Sequence, residues 1–273
     1  MLMWTSVIRE LSLYHKKKVF VIGNKKKHVI HEILKNNPYI SNNDSDDVII
    51  LSISKTPEQL NKQDWVVDKH SILTRYEYFN LKNDNIKCEI YFTTEEIEKI
   101  NELRKILPRK FIVIEPHAKT SWCDSKRYSF KKWQYIIDNI YKDLPVVQMS
   151  IPGKKILNNV IDISDKISSF REAALLLKYC ELFVSAEGGL MHACNAVNTP
   201  CVILFPPLFD PIFTKYENVT DIWIRDENHF NCFKTKNCKE CLNLMKNHDP
   251  NEVISKINNK IRPFYSGSPN IDF

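Results

Sequence analysis

Two glycines stand side by side at Gly188-Gly189, in a chain with only five glycines among 273 residues. Average usage of about 7% would supply roughly 19. A sequence this sparing with glycine places the pair where a side chain is not tolerated. The apolar run Glu181-Leu182-Phe183-Val184-Ser185 precedes it, and Leu190 to Ala196 follow with helical spacing. Thr199-Pro200 then breaks the chain before the apolar run Cys201 to Phe205. The pattern reads strand, glycine turn, helix, strand. In an open parallel sheet such a turn lies at the carboxyl edge, where ligands bind. Missing Cβ atoms admit a ligand to the backbone, and the helix N-terminus offers free N–H groups to an anion. Glu187 is placed to accept hydrogen bonds from ribose hydroxyls, and His192, one turn into the helix, to reach a phosphate. The plain alternative is a tight turn with a solvated Glu187 and a packed His192.

A second group with chemistry runs from His117-Ala118-Lys119-Thr120-Ser121-Trp122 to Lys126-Arg127-Tyr128. It follows an apolar strand, so it also falls at a carboxyl edge. Lys126-Arg127 stands just before a helix, where two cations are unfavourable unless an anion is present. A diphosphate would supply that anion; ordinary surface charge is the alternative. A third group is Cys232, Cys238 and Cys241, with His229 and His248 nearby. The Cys238–Cys241 spacing fits a zinc knuckle with a fourth ligand at hand. Only one such pair exists, so a loop of reduced cysteines is the expectation and no metal is assigned. The chain has no nucleophile elbow, no nucleotide-hydrolase phosphate loop, no His-Glu-x-x-His and no Gly-x-Gly-x-x-Gly.

The elements that must position these residues alternate in type. Helical spacing covers residues 4–14 and 26–35, and buried strands are expected at 19–22, 48–51 and 88–92. Residues 57–80 show no clear period. Thr94 reads as the N-cap of a helix reaching Leu107. After Pro108-Arg109-Lys110 the alternation restarts. Strands are expected at 111–114, 146–149 and 160–163, with helices from Phe130 to Ile140 and from Ser168 onward. The Gly-Gly unit follows, and a last helix spans 250–260 with Pro250 at its first position. Such alternation predicts parallel βαβ units. The division is 1–108, 109–262 and a tail at 263–273.

Composition is that of an ordinary soluble chain, 43% hydrophobic and 26% charged. The apolar runs fall short of the roughly 20 residues that span a bilayer. With no basic and apolar leader at Met1–Ser6, the expected compartment is the cytoplasm. Cys180, Cys194 and Cys201 lie in apolar segments and read as buried free thiols. The net charge of +6 is concentrated in part at Lys16-Lys17-Lys18 and Lys25-Lys26-Lys27. These read as solvated lysines, with anionic lipid head groups or an anionic substrate as the sharper alternative. No interleaved basic and aromatic platform points to nucleic acid.

Taken together, these residues resemble glycosyltransferase family 9, the heptosyltransferase-like enzymes of lipopolysaccharide assembly. The resemblance is carried by Lys126-Arg127-Tyr128-Ser129-Phe130, by Ser168, Phe170, Glu172, Ala173 and Leu176, and by Ser185 to His192. Ala196, Thr199-Pro200, Leu204-Phe205-Pro206-Pro207 and the late cysteines before Asp249-Pro250-Asn251-Glu252-Val253 add to it. Glu187 stands where the family has Asp. The resemblance implies an α/β GT-B-like fold, two Rossmann-like doubly wound halves with parallel sheets. It implies an inverting, metal-independent transfer from a nucleotide-diphosphate sugar to a glycan or glycolipid acceptor, with no further cofactor. Lys119, Lys126, Arg127, Glu187, Gly188, Gly189 and His192 would bind the donor, and the inner membrane surface is an optional peripheral contact. The first third departs from the family. It opens with what resembles the helix after the family's Gly-Asp turn, so the first strand and the catalytic base are expected to be missing. A sugar-nucleotide binder without activity and a metal-stabilised interaction module are the alternatives.

Overall fold

The computed structural model describes residues 1–23, 27–29, 31–44, 47–53, 68–117, 123–142, 144–234 and 236–261. In the first third, helix α1 (Leu2–His15) leads to strand β1 (Val19–Ile22), which pairs in parallel with β2 (Ile49–Ser52). Helices α2 (Ser71–Tyr78) and α3 (Thr94–Lys105) follow. The helix expected over 26–35 is replaced, among the described residues, by one 3₁₀ turn at Glu32–Leu34. The chain folds back on β1 instead: Gly23 N–H donates to Lys27 O and Val29 N–H to Val21 O. The strand expected at 88–92 does not form; these residues pair with no strand. Helix side chains take its backbone donors, Cys88 N–H going to Asn195 Oδ1 at 2.7 Å and Glu89 N–H to Thr5 Oγ1 at 2.9 Å. Helix α3 is capped one residue before the expected position, by Thr93, in a reciprocal capping box with Glu96.

The rest is a six-stranded parallel sheet. Its strands are β3 (Ile112–Glu115), β4 (Val146–Gln148), β5 (Ile161–Asp162), β6 (Leu182–Ala186), β7 (Cys201–Phe205) and β8 (Val219–Trp223). Their spatial order is β5-β4-β3-β6-β7-β8. Strand β8 has no counterpart in the sequence expectations. Helices α4 (Phe130–Asn139), α5 (Phe170–Leu177) and α6 (Gly189–Val197) connect the strands; α7 (Lys239–Asn247) and α8 (Pro250–Ile261) close the chain. The last of these runs one residue beyond expectation, and α7 occupies ground read as a cysteine loop.

Strand residues alternate between two cores, as the pleat requires. Phe111 and Val113 face one cluster and Ile112 and Ile114 the other. Trp133, Ile136 and Ile137 of α4, with Val253 and Ile257 of α8, cover the second face. Helices α5 and α6 cover the first. Their outer sides pack on α3 and α1, so one cluster runs from Leu2 and Trp4 through Leu176 to Phe205 across residue 108. No described helix is long and apolar enough to cross a membrane.

Arg171 fastens the same junction. It is 2% exposed and forms a bidentate pair with Glu96 at 2.6 and 2.7 Å. It also donates to Glu32 O and Tyr91 O. This guanidinium holds the Glu96 carboxyl below the usual carboxylate range. Removing one partner of a buried pair leaves a charge without compensation. Arg171→Ala is expected to lower stability by about 3–5 kcal/mol, while Lys99→Ala, at a more exposed pair with Glu172, costs less than about 1 kcal/mol. Urea denaturation measures both, and equal losses would remove Arg171 as the fastener.

Candidate active site

Strand order reverses between β3 and β6, and the crevice opens at their carboxyl ends. Glu115 ends β3 directly opposite Ser185 of β6. A cavity of about 660 Å³ lies there, within the 300–1,000 Å³ usual for small-molecule sites. Among the described residues its lining comes wholly from 115–190.

Two residues 61 positions apart in the sequence, Lys126 and Glu187, meet in it. Lys126 ends a 3₁₀ turn at Asp124–Lys126, and its Nζ forms an ion pair with Glu187 Oε2. Both are buried, at 8% and 6% exposure. Gly188 caps α6, and Gly189 and Leu190 begin it; all three line the cavity. The first amides of a helix have no acceptor within it, so this end presents donors and positive potential. Gly188 has φ 175°, an extended backbone that needs no glycine. Gly189 is the tighter position: a Cβ there would lie 3.1 Å from the Phe170 ring, which would have to give by a few tenths of an ångström. The left-handed residues are mostly asparagines, such as Asn198 at the end of α6.

Glu115 was not singled out by the sequence. Its Oε1 accepts from His117 N–H at 2.8 Å. Burial pushes the carboxyl up to about 8, against that hydrogen bond. The signal available was its position, a carboxylate at the end of an apolar strand. His117 also lines the cavity, stacked on Phe130 and bonded through Nε2 to Lys155 O at 2.7 Å.

Other expected residues are elsewhere. Arg127 is exposed and does not line the cavity. His192 faces away from it, with Nδ1 2.7 Å from the Tyr216 hydroxyl, which lies 3.2 Å from Cys88 Sγ. Burial, with cations nearby, pushes His192 down to about 3, so the ring is neutral. Lys119 lies outside the described residues.

The late cysteines do converge. His229 Nε2 lies 3.1 Å from Cys241 Sγ and 3.4 Å from Cys238 Sγ, and Cys232 Sγ is 3.4 Å from Cys238 Sγ. All four ligand atoms fall within 4.8 Å of one another. A tetrahedral ion with bonds of about 2.3 Å to sulfur and about 2.0 Å to nitrogen spaces its ligands by roughly 3.5–3.8 Å. The donor set and spacing therefore fit one transition-metal ion with small adjustment. His248 is not part of the cluster; it meets Tyr128 and Glu252.

The parallel sheet, with a buried lysine and a helix N-terminus at its switch point, has the α/β, GT-B-like fold. The chain belongs to glycosyltransferase family 9 (heptosyltransferase), whose pattern matches residues 28–243. The family 9 glycosyl transferase of Veillonella parvula DSM 2008 shares the fold with TM-score 0.66 at 12% identity, covering 96% of this chain and 94% of that one. The iron-containing dodecameric glycosyltransferase TibC of enterotoxigenic E. coli H10407 gives TM-score 0.68 at 13% identity, over 96% of this chain and 73% of that one. TibC has also been solved with ADP-D-β-D-heptose, with TM-score 0.67 at 11% identity over the same shares of the two chains. Sex comb on midleg-like protein 1 of Pongo pygmaeus is 26% identical over 93 residues, 34% of this chain and 28% of that protein.

Glu115 yields a test of the cavity's electrostatics. Its raised value means that the folded chain holds a proton the unfolded chain gives up between about pH 4.5 and 8. Its contribution to stability therefore falls as pH rises through that window and is level above it. Glu115→Gln removes the effect. Urea midpoints should show the variant gaining on the parent from pH 5 to pH 8.5; parallel profiles would mean that Glu115 is not held protonated.

Proposed function

We propose that this protein transfers a sugar from a nucleoside-diphosphate sugar to a glycan or glycolipid acceptor. The observation that carries the reading is the buried Lys126–Glu187 pair beside the α6 N-terminus, in a cavity at the sheet's switch point. The donor diphosphate would lie against Lys126 and the first amides of α6, and Glu187 would turn to the ribose hydroxyls. The acceptor hydroxyl attacks the anomeric carbon as the bond to the diphosphate breaks, inverting that centre. Its proton passes to a base, and the charge growing on the diphosphate is stabilised by Lys126 and the helix dipole. Those groups serve the leaving diphosphate without a metal ion. The heptose and adenine nucleotide bound by TibC make ADP-heptose the first donor to try. We place the protein in the cytoplasm, with the exposed Lys16–Lys18 cluster available to an anionic membrane surface.

A binding-only role is the second reading, and the lining carboxylates favour it. Glu187 is paired with Lys126, and Glu115 is held protonated to about pH 8, so neither is a free base at neutral pH. Release of nucleoside diphosphate from the donor only when an acceptor is present separates transfer from binding.

For the cysteine cluster we propose a structural metal ion held by His229, Cys232, Cys238 and Cys241. The iron of TibC supports the choice of a transition metal. None of the four residues lines the cavity.

Lys126→Ala should weaken ADP binding about 10–100-fold, the scale of a charge-assisted contact to phosphate, while Arg127→Ala changes it less than about twofold. Calorimetry that found the two variants alike would remove Lys126 from the donor site. Elemental analysis should find about one metal ion per chain, lost in a Cys238→Ser, Cys241→Ser double variant; metal-free parent protein would end the structural-metal reading.

A further inference from the structure

The segment carrying the cysteine cluster is bonded to the turn that carries Lys126. Asn237, next to Cys238, donates its backbone N–H to Asp124 Oδ2 at 2.9 Å. Cys238 is the N-cap of α7, Cys241 lies in its first turn, and α7 packs against the Asp124–Lys126 turn. A second connection reaches the residue before that turn. Cys232 N–H donates to Pro207 O and Phe233 N–H to Leu208 O, and Leu208 and Phe209 form a small buried cluster with Cys123. The residues just after the turn are held by the far end of α7. Tyr128 Oη is 3.1 Å from His248 Nδ1, and Lys132 Nζ donates to Met245 O and His248 O.

We propose that the His229–Cys232–Cys238–Cys241 centre positions the donor lysine. A transition-metal ion bound there fixes the start of α7 and the 231–233 loop, and through Asp124 and Cys123 these hold Lys126 at Glu187. The physical reason is local. A 3₁₀ turn of three residues has one or two internal hydrogen bonds and little stability of its own. Its geometry depends on what it is bonded to. Four ligands from two segments, closed on one ion, convert a loop and a helix end into one rigid support. Asp124 is a positioning residue here, because it acts through Lys126. The inference rests on the donor-site reading of Lys126, and its test separates the two.

The test compares zinc-loaded and chelated full-length protein, with ADP binding read by calorimetry and backbone protection by hydrogen exchange. The loaded parent should bind ADP about tenfold more tightly than the chelated parent, the scale of one hydrogen bond to a charged group. Re-adding zinc or iron(II) should restore it. Asp124→Ala should keep the metal, bind ADP about tenfold more weakly, and lose most of its response to chelation. Equal ADP affinity with and without metal overturns the proposal. Should chelation unfold the chain, the metal-loaded Asp124→Ala variant decides, and ADP affinity at the parent value overturns it. Should no form bind ADP, the donor reading falls, and hydrogen exchange still decides the coupling. Protection of residues 123–128 that does not change with metal overturns it.

Discussion

The reversal of strand order between β3 and β6 is the constraint on which the rest of the structure depends. Parallel strands need crossover connections, and these keep one hand. A chain that adds strands first on one side of β3 and then on the other must send its connections over opposite faces. The two outward paths leave a crevice at the carboxyl ends of the central strands. Glu115, Ser185 and Glu187 all sit at this edge because they lie in the last two residues of those strands or directly follow them. The helix that follows β6 then points its amino end into the crevice. The charged groups are a consequence of this topology, since it places a low-dielectric floor beneath helix donors and makes a single lysine count for more.

Much of this half was legible in the sequence because its signals are local. The apolar runs of β3, β6 and β7 are short, continuous and bounded by breakers, as fully buried parallel strands are. Gly188-Gly189 marked the turn, although for a partly different reason than expected. Gly189 packs closely on the Phe170 ring, and Gly188 has an extended rather than left-handed backbone. What the sequence left hidden is non-local. The pairing of Lys126 with Glu187 needs the fold to bring β6 beside the turn. The meaning of Glu115 is its half-buried place at the cavity, which no spacing reports. The direction of His192 is set by Tyr216, a residue 24 positions further on.

The first third was harder to read for a physical reason. Its segments are short, and several take their hydrogen bonds from side chains rather than from a neighbouring strand. Residues 88–92 have the composition of a strand, but Asn195 and Thr5 satisfy Cys88 and Glu89 where a strand would otherwise be needed. Among the cysteines, the Cys238–Cys241 pair was visible as a motif. Only the fold brings Cys232 and His229 to it.

The continuous apolar cluster across residue 108 sets the way this molecule can move. Two sheets joined by a bare linker can swing about it like a jaw. Here the outer faces of α5 and α6 are covered by α1 and α3, and Trp4, Val7 and Ile8 belong to the same core as Leu176 and Phe183. Swinging the halves apart would expose those side chains to water at about 25 cal/mol per Å² and strip Arg171 of its partners. Opening about residue 108 is therefore opposed by the buried apolar cluster and by the Arg171 pair together.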